Sequence, residues 1–363
     1  MNMPSSEVKQ VAQNGRALSV NELVTEYMQS KQVSGMVVAV IHDDGPAKFY
    51  CYGVTDEQHR YPITPDTLFA LGSLSKGITA EVTTLLVNEG RLHWDDTLEK
   101  LLPPGTPLSD DARKITLLQL VTHTSGLPRQ PMSLLSLEHL LRYLSDGENF
   151  YHDLDSDSVL GYLSNFNAPL THEPRYSNIG YAILGYVLKV QTGQSIETLA
   201  EQRIFQPLKM QNSSFTPETL RSYPLRALGH AGDQPKFIAR GSLTPDWQFS
   251  NNMIGAASLY SNARDLIEYA RDHFSATGDA SLDKTFRDVS ADYFPREKEA
   301  ANIAWITDTY GDQQITYQVG YIGGYSSYIG FDKANKSAVV VLQNSFNWSN
   351  YIGHALLKRN VPE

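Results

Sequence analysis

Gly35-Met36-Val37-Val38-Ala39-Val40-Ile41, the cluster Asp43-Asp44-Gly45-Pro46 and the run from Lys48 to Val54 together set the architecture. The first run is continuously apolar and reads as a buried strand. The Asp-Asp-Gly-Pro cluster is turn chemistry, and the second run supplies the returning strand of a hairpin. Upstream, Val20 to Gln32 places Leu23, Val24, Tyr27 and Met28 at helical spacing. Near the other end, Ser326 to Phe331 and Ser337 to Leu342 are two more strand candidates. A closing helix runs roughly from Trp348 to Lys358, with Ile352, Ala355 and Leu356 on one face. Between about 80 and 300 the chain reads as helical patches joined by Pro- and Gly-marked loops. This order predicts an α+β fold: an antiparallel sheet built from both chain ends and flanked by helices, with a mostly helical lobe inserted. The expected organisation is a flexible N-terminus (1–18) and a single domain (19–363). Its α/β lobe covers about 19–75 and 300–363, and its helical lobe about 76–299.

Composition narrows the function. A chain of 363 residues suits one large domain or two intimate ones, because single cores stop growing near ~250–300 residues. Hydrophobic residues at 41% give enough apolar surface for a real core and rule out wholesale disorder. Thirty Lys and Arg against 40 Asp and Glu leave a net charge of −10, which repels nucleic acid and anionic lipid. No apolar run approaches the ~20 residues of a spanning helix. The single cysteine, Cys51, excludes an internal disulfide and a thiolate metal cage, and its apolar-aromatic neighbours Phe49, Tyr50 and Tyr52 predict a buried strand position. Met1 to Arg16 is polar and has no apolar signal-peptide core, which fits either a cytosolic protein or a mature chain whose leader was removed.

Chemistry concentrates first at Leu68-Phe69-Ala70-Leu71-Gly72-Ser73-Leu74-Ser75-Lys76. Leu74, Ile78, Val82, Leu85 and Leu86 form a helical stripe that ends at Gly90, so Ser73 stands at the helix start with Lys76 one turn on. A hydroxyl with a base in reach can become a nucleophile. The helix N-terminus adds N–H groups for an oxyanion and a dipole that disfavours charge on the lysine. Two other Ser-x-x-Lys matches, Ser6 to Lys9 and Ser281 to Lys284, lie in polar settings, and a helix cap is the bland alternative for Ser73. A second candidate is Tyr176-Ser177-Asn178. It precedes Ile179 to Leu188, a run apolar nearly all round and therefore a buried helix. A phenol there can relay a proton and an amide can grip a substrate amide. Its decoy, Tyr260-Ser261-Asn262, is explained by helix capping.

Rival chemistries lack their motifs. The chain has no Gly-x-Ser-x-Gly elbow, no His-Glu-x-x-His pair and no phosphate loop ending in Gly-Lys-Ser/Thr. No metal site and no cofactor is expected.

In their order along the chain, these segments resemble the serine β-lactamase-related family, which includes class C β-lactamases, D-alanyl-D-alanine carboxypeptidases and esterases of the same fold. The resemblance runs from about Leu23 to the C-terminal helix. It is carried by Phe69 to Lys76, Leu117 to Pro128 (with Thr122-His123-Thr124-Ser125-Gly126), Tyr176 to Tyr181, Ile204 to Met210 and Gly324 to Phe331. It implies Ser73 as nucleophile, Lys76 as its base and Tyr176 as the proton shuttle to the leaving group. Asn178 matches the residue that steadies Lys76 and the substrate amide, and His123 matches a structural loop position. Relatives carry Lys-Thr-Gly or His-x-Gly on the strand lining the cleft. Here the matching triplet is Gln318-Val319-Gly320, and a register three residues later, Tyr321-Ile322-Gly323, is equally uncharged. The backbone N–H of Tyr321 can still complete an oxyanion hole with that of Ser73, with Gly320 leaving it room. The charge that helps hold a substrate carboxylate is gone.

The resemblance therefore implies a serine acyl-hydrolase working through a covalent acyl-enzyme, on D-alanyl peptides or β-lactams. An esterase of the same fold is the nearest competitor. A non-catalytic relative that binds peptidoglycan fragments is the alternative of another class. The partner is a small-molecule or peptide substrate, and the resemblance favours the periplasm. Two helix-like patches, Leu135 to Leu144 and Ser158 to Phe166, flank Asp153, Asp155 and Asp157, which read as a solvated acidic loop.

Overall fold

The predicted hairpin forms as β1 (Gly35–Ile41) and β2 (Lys48–Gly53), paired antiparallel from Gly35↔Gly53 to Val40↔Lys48. Asp43 and Asp44 in the turn take positive φ, 47° and 54°, a conformation that Asp tolerates better than most residues. These positions come from a computed structural model that describes residues 18–129, 141–147, 149, 156–249, 253–293, 299–348 and 351–359. Two short strands, β3 (Phe69–Ala70) and β4 (Tyr260–Ser261), pair with each other. Then β5 (Glu299–Ala301), β6 (Ile306–Tyr310), β7 (Gln313–Ile322), β8 (Tyr325–Asp332) and β9 (Ser337–Gln343) follow as an antiparallel meander. The large sheet runs β2-β1-β9-β8-β7-β6-β5. Strand β9 lies against β1 from Met36↔Gln343 to Ile41↔Ala338, so the two ends of the chain close one sheet.

Both faces of that sheet are covered, which is why β1 is apolar at every position instead of alternating. Val37, Ala39 and Ile41 face the larger core together with Leu85, Ile183 and Leu266. Met36 and Val38 face a second core with Leu23, Tyr27, Ile352 and Leu356. The second core is closed by two helices. One, Val20–Lys31, opens with a Ser19–Glu22 capping box and ends at Gln32 in the left-handed region. The other is the final helix, Tyr351–Arg359. On the opposite face lie the helix Ala263–Arg271 and the helical middle of the chain.

Several details correct the sequence reading. Cys51 is exposed, not buried. It sits on β2, the edge strand of the sheet among the described residues, whose exposed and half-buried positions show the core thinning out there. Strands β5 and β6 are short and partly polar, and their residues carry no strong strand pattern. The helix after Ser73 spans Ser75–Asn88, and Ser73 itself lies in a 3₁₀ turn, Gly72–Leu74, just before it. The patch near 158–166 is a helix over Ser156–Ser164. Most of the N-terminal segment 1–18, most of the patch Leu135 to Leu144, the acids Asp153 and Asp155, and two residues near the start of the predicted closing helix lie outside the described residues.

Candidate active site

Ser73 is held by a tight reversal. Gly72 has φ +54°, and a Cβ there would come within 2.9 Å of the Tyr321 carbonyl and of Ile322, so only glycine lets the turn lie against β7. The buried Ser75 hydroxyl donates to the Gly72 carbonyl (2.6 Å) and accepts from the Leu259 N–H (2.9 Å), which pins the turn from below. Ser73 stays half-buried while Lys76, one turn along, is only 2% exposed. The Lys76 Nζ donates to the Ala256 carbonyl at 2.8 Å, and Thr79 on the same helix donates to the Gly255 carbonyl at 2.6 Å.

The opposite wall is the start of the helix Asn178–Thr192. Ser177 caps it, accepting from the Gly180 N–H at 2.9 Å and donating to the Pro128 carbonyl at 2.7 Å. That cap sets Tyr176 at the helix lip, and its hydroxyl donates to Ser73 Oγ at 2.6 Å. Asn178 is the buried first residue of the helix, its N–H donating to the Arg129 carbonyl at 3.2 Å. The structure thus brings Ser73, Lys76 and Tyr176 together from segments 100 residues apart.

Electrostatics shift the Lys76 amine towards its neutral form. Burial is the main cause that lowers the Lys76 pKa below 10.5; Tyr176 opposes this and the charge of Arg129 assists it. The Tyr176 ring is surrounded: Lys76 Nζ and the Arg129 guanidinium carbon are each 4.9 Å from its centroid, and His123 stacks on it at 4.7 Å. Burial, helped by Lys76 and Arg129, holds His123 at about 3, so its imidazole is neutral at ordinary pH. Its Nδ1 accepts the Ser177 N–H at 3.0 Å, which leaves its proton on Nε2 and fixes the ring under Tyr176.

Strand β7 forms the third side. Its pairing with β6 ends at Tyr317, so among the described residues no strand covers that edge from Gln318 to Ile322. The two-residue turn Gly323-Gly324 makes Ile322 and Tyr325 the closing pair of the β7–β8 hairpin. Alternation then turns the Tyr321 N–H away from β8, onto the open edge beside Gly72 and Ser73. A side chain at Gly320 would overlap the Leu71 carbonyl and Ser327 Oγ. Gln318 is buried, and its amide is packed onto Gly77 of the Ser75–Asn88 helix. Past the turn, the Trp247 indole lies against Gly323, donates to the Gly147 carbonyl at 3.0 Å and meets Tyr143 edge-on.

The decoys separate from this cluster. Lys284 binds Asn88 and Asp288, Asn262 caps its helix by accepting from the Asp265 N–H, and Ser6 to Lys9 lies outside the described residues. Sequence reasoning missed Ala256, Arg129 and Trp247. Ala256 acts through a main-chain carbonyl, which leaves no residue-type signal. Arg129 directly follows the motif ending at Leu127-Pro128, and its charge was the available clue. Among the described residues no group of three or more His, Cys, Asp or Glu is placed to hold a metal ion.

A profile of the family described as Beta-lactamase matches residues 20–361. The chain belongs to the Beta-lactamase family. It is a serine hydrolase by that membership, with the antiparallel sheet and helices of the β-lactamase fold. An "Unguisins hydrolase ungD'" of Aspergillus campestris (strain IBT 28561) is 27% identical over 361 residues, covering 93% of this chain but only 63% of that longer protein. A "Beta-lactamase" of Pseudomonas fluorescens is 24% identical over 368 residues, covering 91% of this chain and 94% of the relative. Among solved structures, the "Beta-Lactamase/D-Alanine Carboxypeptidase from Pseudomonas syringae" superposes with a TM-score of 0.80 at 20% identity, covering 94% of this chain and 98% of that one.

Proposed function

We propose that this β-lactamase-family protein is an acyl-hydrolase that works through a covalent ester on Ser73, acting on D-alanyl peptides and β-lactams. The observation that carries the reading is the 2.6 Å hydrogen bond from Tyr176 to Ser73 Oγ, beside a buried lysine whose amine is biased to the neutral form. Ser73 Oγ attacks the carbonyl carbon and its proton passes to the Lys76–Tyr176 pair. The negative oxygen is met by the N–H groups of Ser73 and Tyr321. The carbon–nitrogen bond breaks as Tyr176 returns the proton to the departing amine. Water, deprotonated by the same pair, then splits the ester, releasing the acid and restoring Ser73. Asn178, at the helix lip, orients Lys76 and the substrate amide. Peptides of the cell wall are met in the periplasm, and that compartment goes with this reading.

A second reading, an esterase for neutral substrates, is favoured by Gln318, which brings no charge and is packed onto Gly77. Intact mass spectrometry after incubation with a penicillin separates these. The parent gains the mass of the penicillin, or accumulates opened product, and Ser73→Ala does neither. Adduct or turnover on the Ser73→Ala protein would overturn the mechanism. Turnover of a p-nitrophenyl ester with no reaction towards penicillin or D-alanyl peptide would select the esterase.

A further inference from the structure

We propose that Arg129 determines substrate specificity by holding a carboxylate carried on the leaving group. This rests on the acyl-hydrolase reading above and adds the chemical character of the group expelled. Three side chains with basic groups surround the Tyr176 ring. Lys76 is buried and bound to the Ala256 carbonyl, and His123 is stacked on the ring and neutral at ordinary pH. Arg129 is the exposed one, with its guanidinium carbon 4.9 Å from the Tyr176 centroid and no ion-pair partner among the described residues. An exposed cation against the Tyr176 ring, with no ion-pair partner among the described residues, makes a local positive site on a molecule with a net charge of −10.

The side of the cleft on which it sits identifies what it meets. Tyr176 delivers the proton to the departing atom, so the leaving group lies on Tyr176's side of Ser73. The Arg129 guanidinium lies against the ring that makes this delivery, which in the proposed pose puts it within reach of the leaving group. Its planar fork matches a carboxylate through two parallel N–H···O bonds. The facing strand offers nothing equivalent: Gln318 is turned onto Gly77, and the Tyr321 ring packs with Phe346 and Trp348. Arg129 therefore supplies from the helix-lip wall a charge that β7 lacks.

The test uses an acyl-D-alanyl-D-alanine peptide and its C-terminal amide, with the parent and Arg129→Gln. The expected result is a fall of about tenfold or more in kcat/KM for the free acid, carried by KM, with a similar fall in the acid-over-amide preference. Arg129→Lys restores part of that preference. Equal losses on the two peptides would show that Arg129 only positions Tyr176, and an unaltered acid-over-amide preference would likewise overturn the proposal. Calorimetric titration of the same peptides into Ser73→Ala and Ser73→Ala/Arg129→Gln reads the preference as affinities, independent of turnover. A preference seen there without hydrolysis by the parent would sustain Arg129's role and overturn the D-alanyl hydrolase reading. The absence of any preference there would overturn Arg129's role alone.

Discussion

Lys76 can take the Ser73 proton only as a neutral amine, and burial lowers its pKa from the ordinary 10.5. The sign follows directly. Below the lowered pKa the amine is charged and idle; above it the amine is free, so kcat/KM climbs with pH to an inflection below 10.5. A pH–rate profile of acylation checks this. In Lys76→Arg the side chain stays charged throughout, so the rate falls and the rising limb set by Lys76 disappears. An inflection at or above 10.5 in the parent would mean that the amine keeps its solution behaviour and that burial does not prepare it. The neighbouring His123 shows the same physics in a different role. Held at about 3 and accepting the Ser177 N–H, it is a neutral platform for the Tyr176 ring and not a second base.

Two glycines mark how closely the Ser73 turn and the helix after it approach β7, and they differ in what stands opposite. At Gly320 an added methyl meets the Leu71 carbonyl, main chain that cannot swing aside. Gly320→Ala pushes β7 off the Ser73 turn, lowering stability by about 1–3 kcal/mol and displacing the Tyr321 N–H, so kcat drops more than KM rises. At Gly77 the methyl meets the far end of the Gln318 side chain, which can rotate away. Gly77→Ala is therefore the milder change. Thermal melts and steady-state kinetics on the two variants check the order; a Gly77→Ala loss as large as that of Gly320→Ala would place the constraint in the helix instead of the strand edge. The pairing explains the role of the hairpin turn too, since Gly324 at φ +85° sets which N–H groups of β7 face the cleft.

Across the molecule, the helix Ser75–Asn88 that follows Ser73 and carries Lys76 is tied to the sheet-covering helix Ala263–Arg271 through a fully buried polar group. Glu81 accepts from the Tyr269 hydroxyl at 2.7 Å and lies 2.7 Å from His273 Nε2, while His273 Nδ1 lies 2.8 Å from the Tyr269 carbonyl. Glu81 and His273 side chains are both 0% exposed, so removing one strands the other without water. Glu81→Ala is expected to cost about 3–5 kcal/mol of stability, read as the denaturation midpoint in urea, with a parallel loss of activity as the Ser75–Asn88 helix loosens. A change of less than about 1 kcal/mol would mean that the apolar packing around the network carries the helix by itself.

The sequence determined the sheet's apolar core strands and the identity of the chemical groups. The unbroken run Gly35 to Ile41 requires burial on both faces, and the stripe after Ser73 requires a helix, because local periodicity and turn chemistry are properties of neighbouring residues. The resemblance also picked out Ser73, Lys76 and Tyr176 as a set. Cys51 was misread because its apolar neighbours report strand propensity but not how far the packed core extends over an edge strand. Only the tertiary structure decided that Lys76 is bound to the Ala256 carbonyl, that Gln318 turns onto Gly77 and that Arg129 lies on the Tyr176 ring. Those facts join residues from 47 to 241 positions apart along the chain. Long-range contact depends on how the sheet and helices pack, and no local pattern records it.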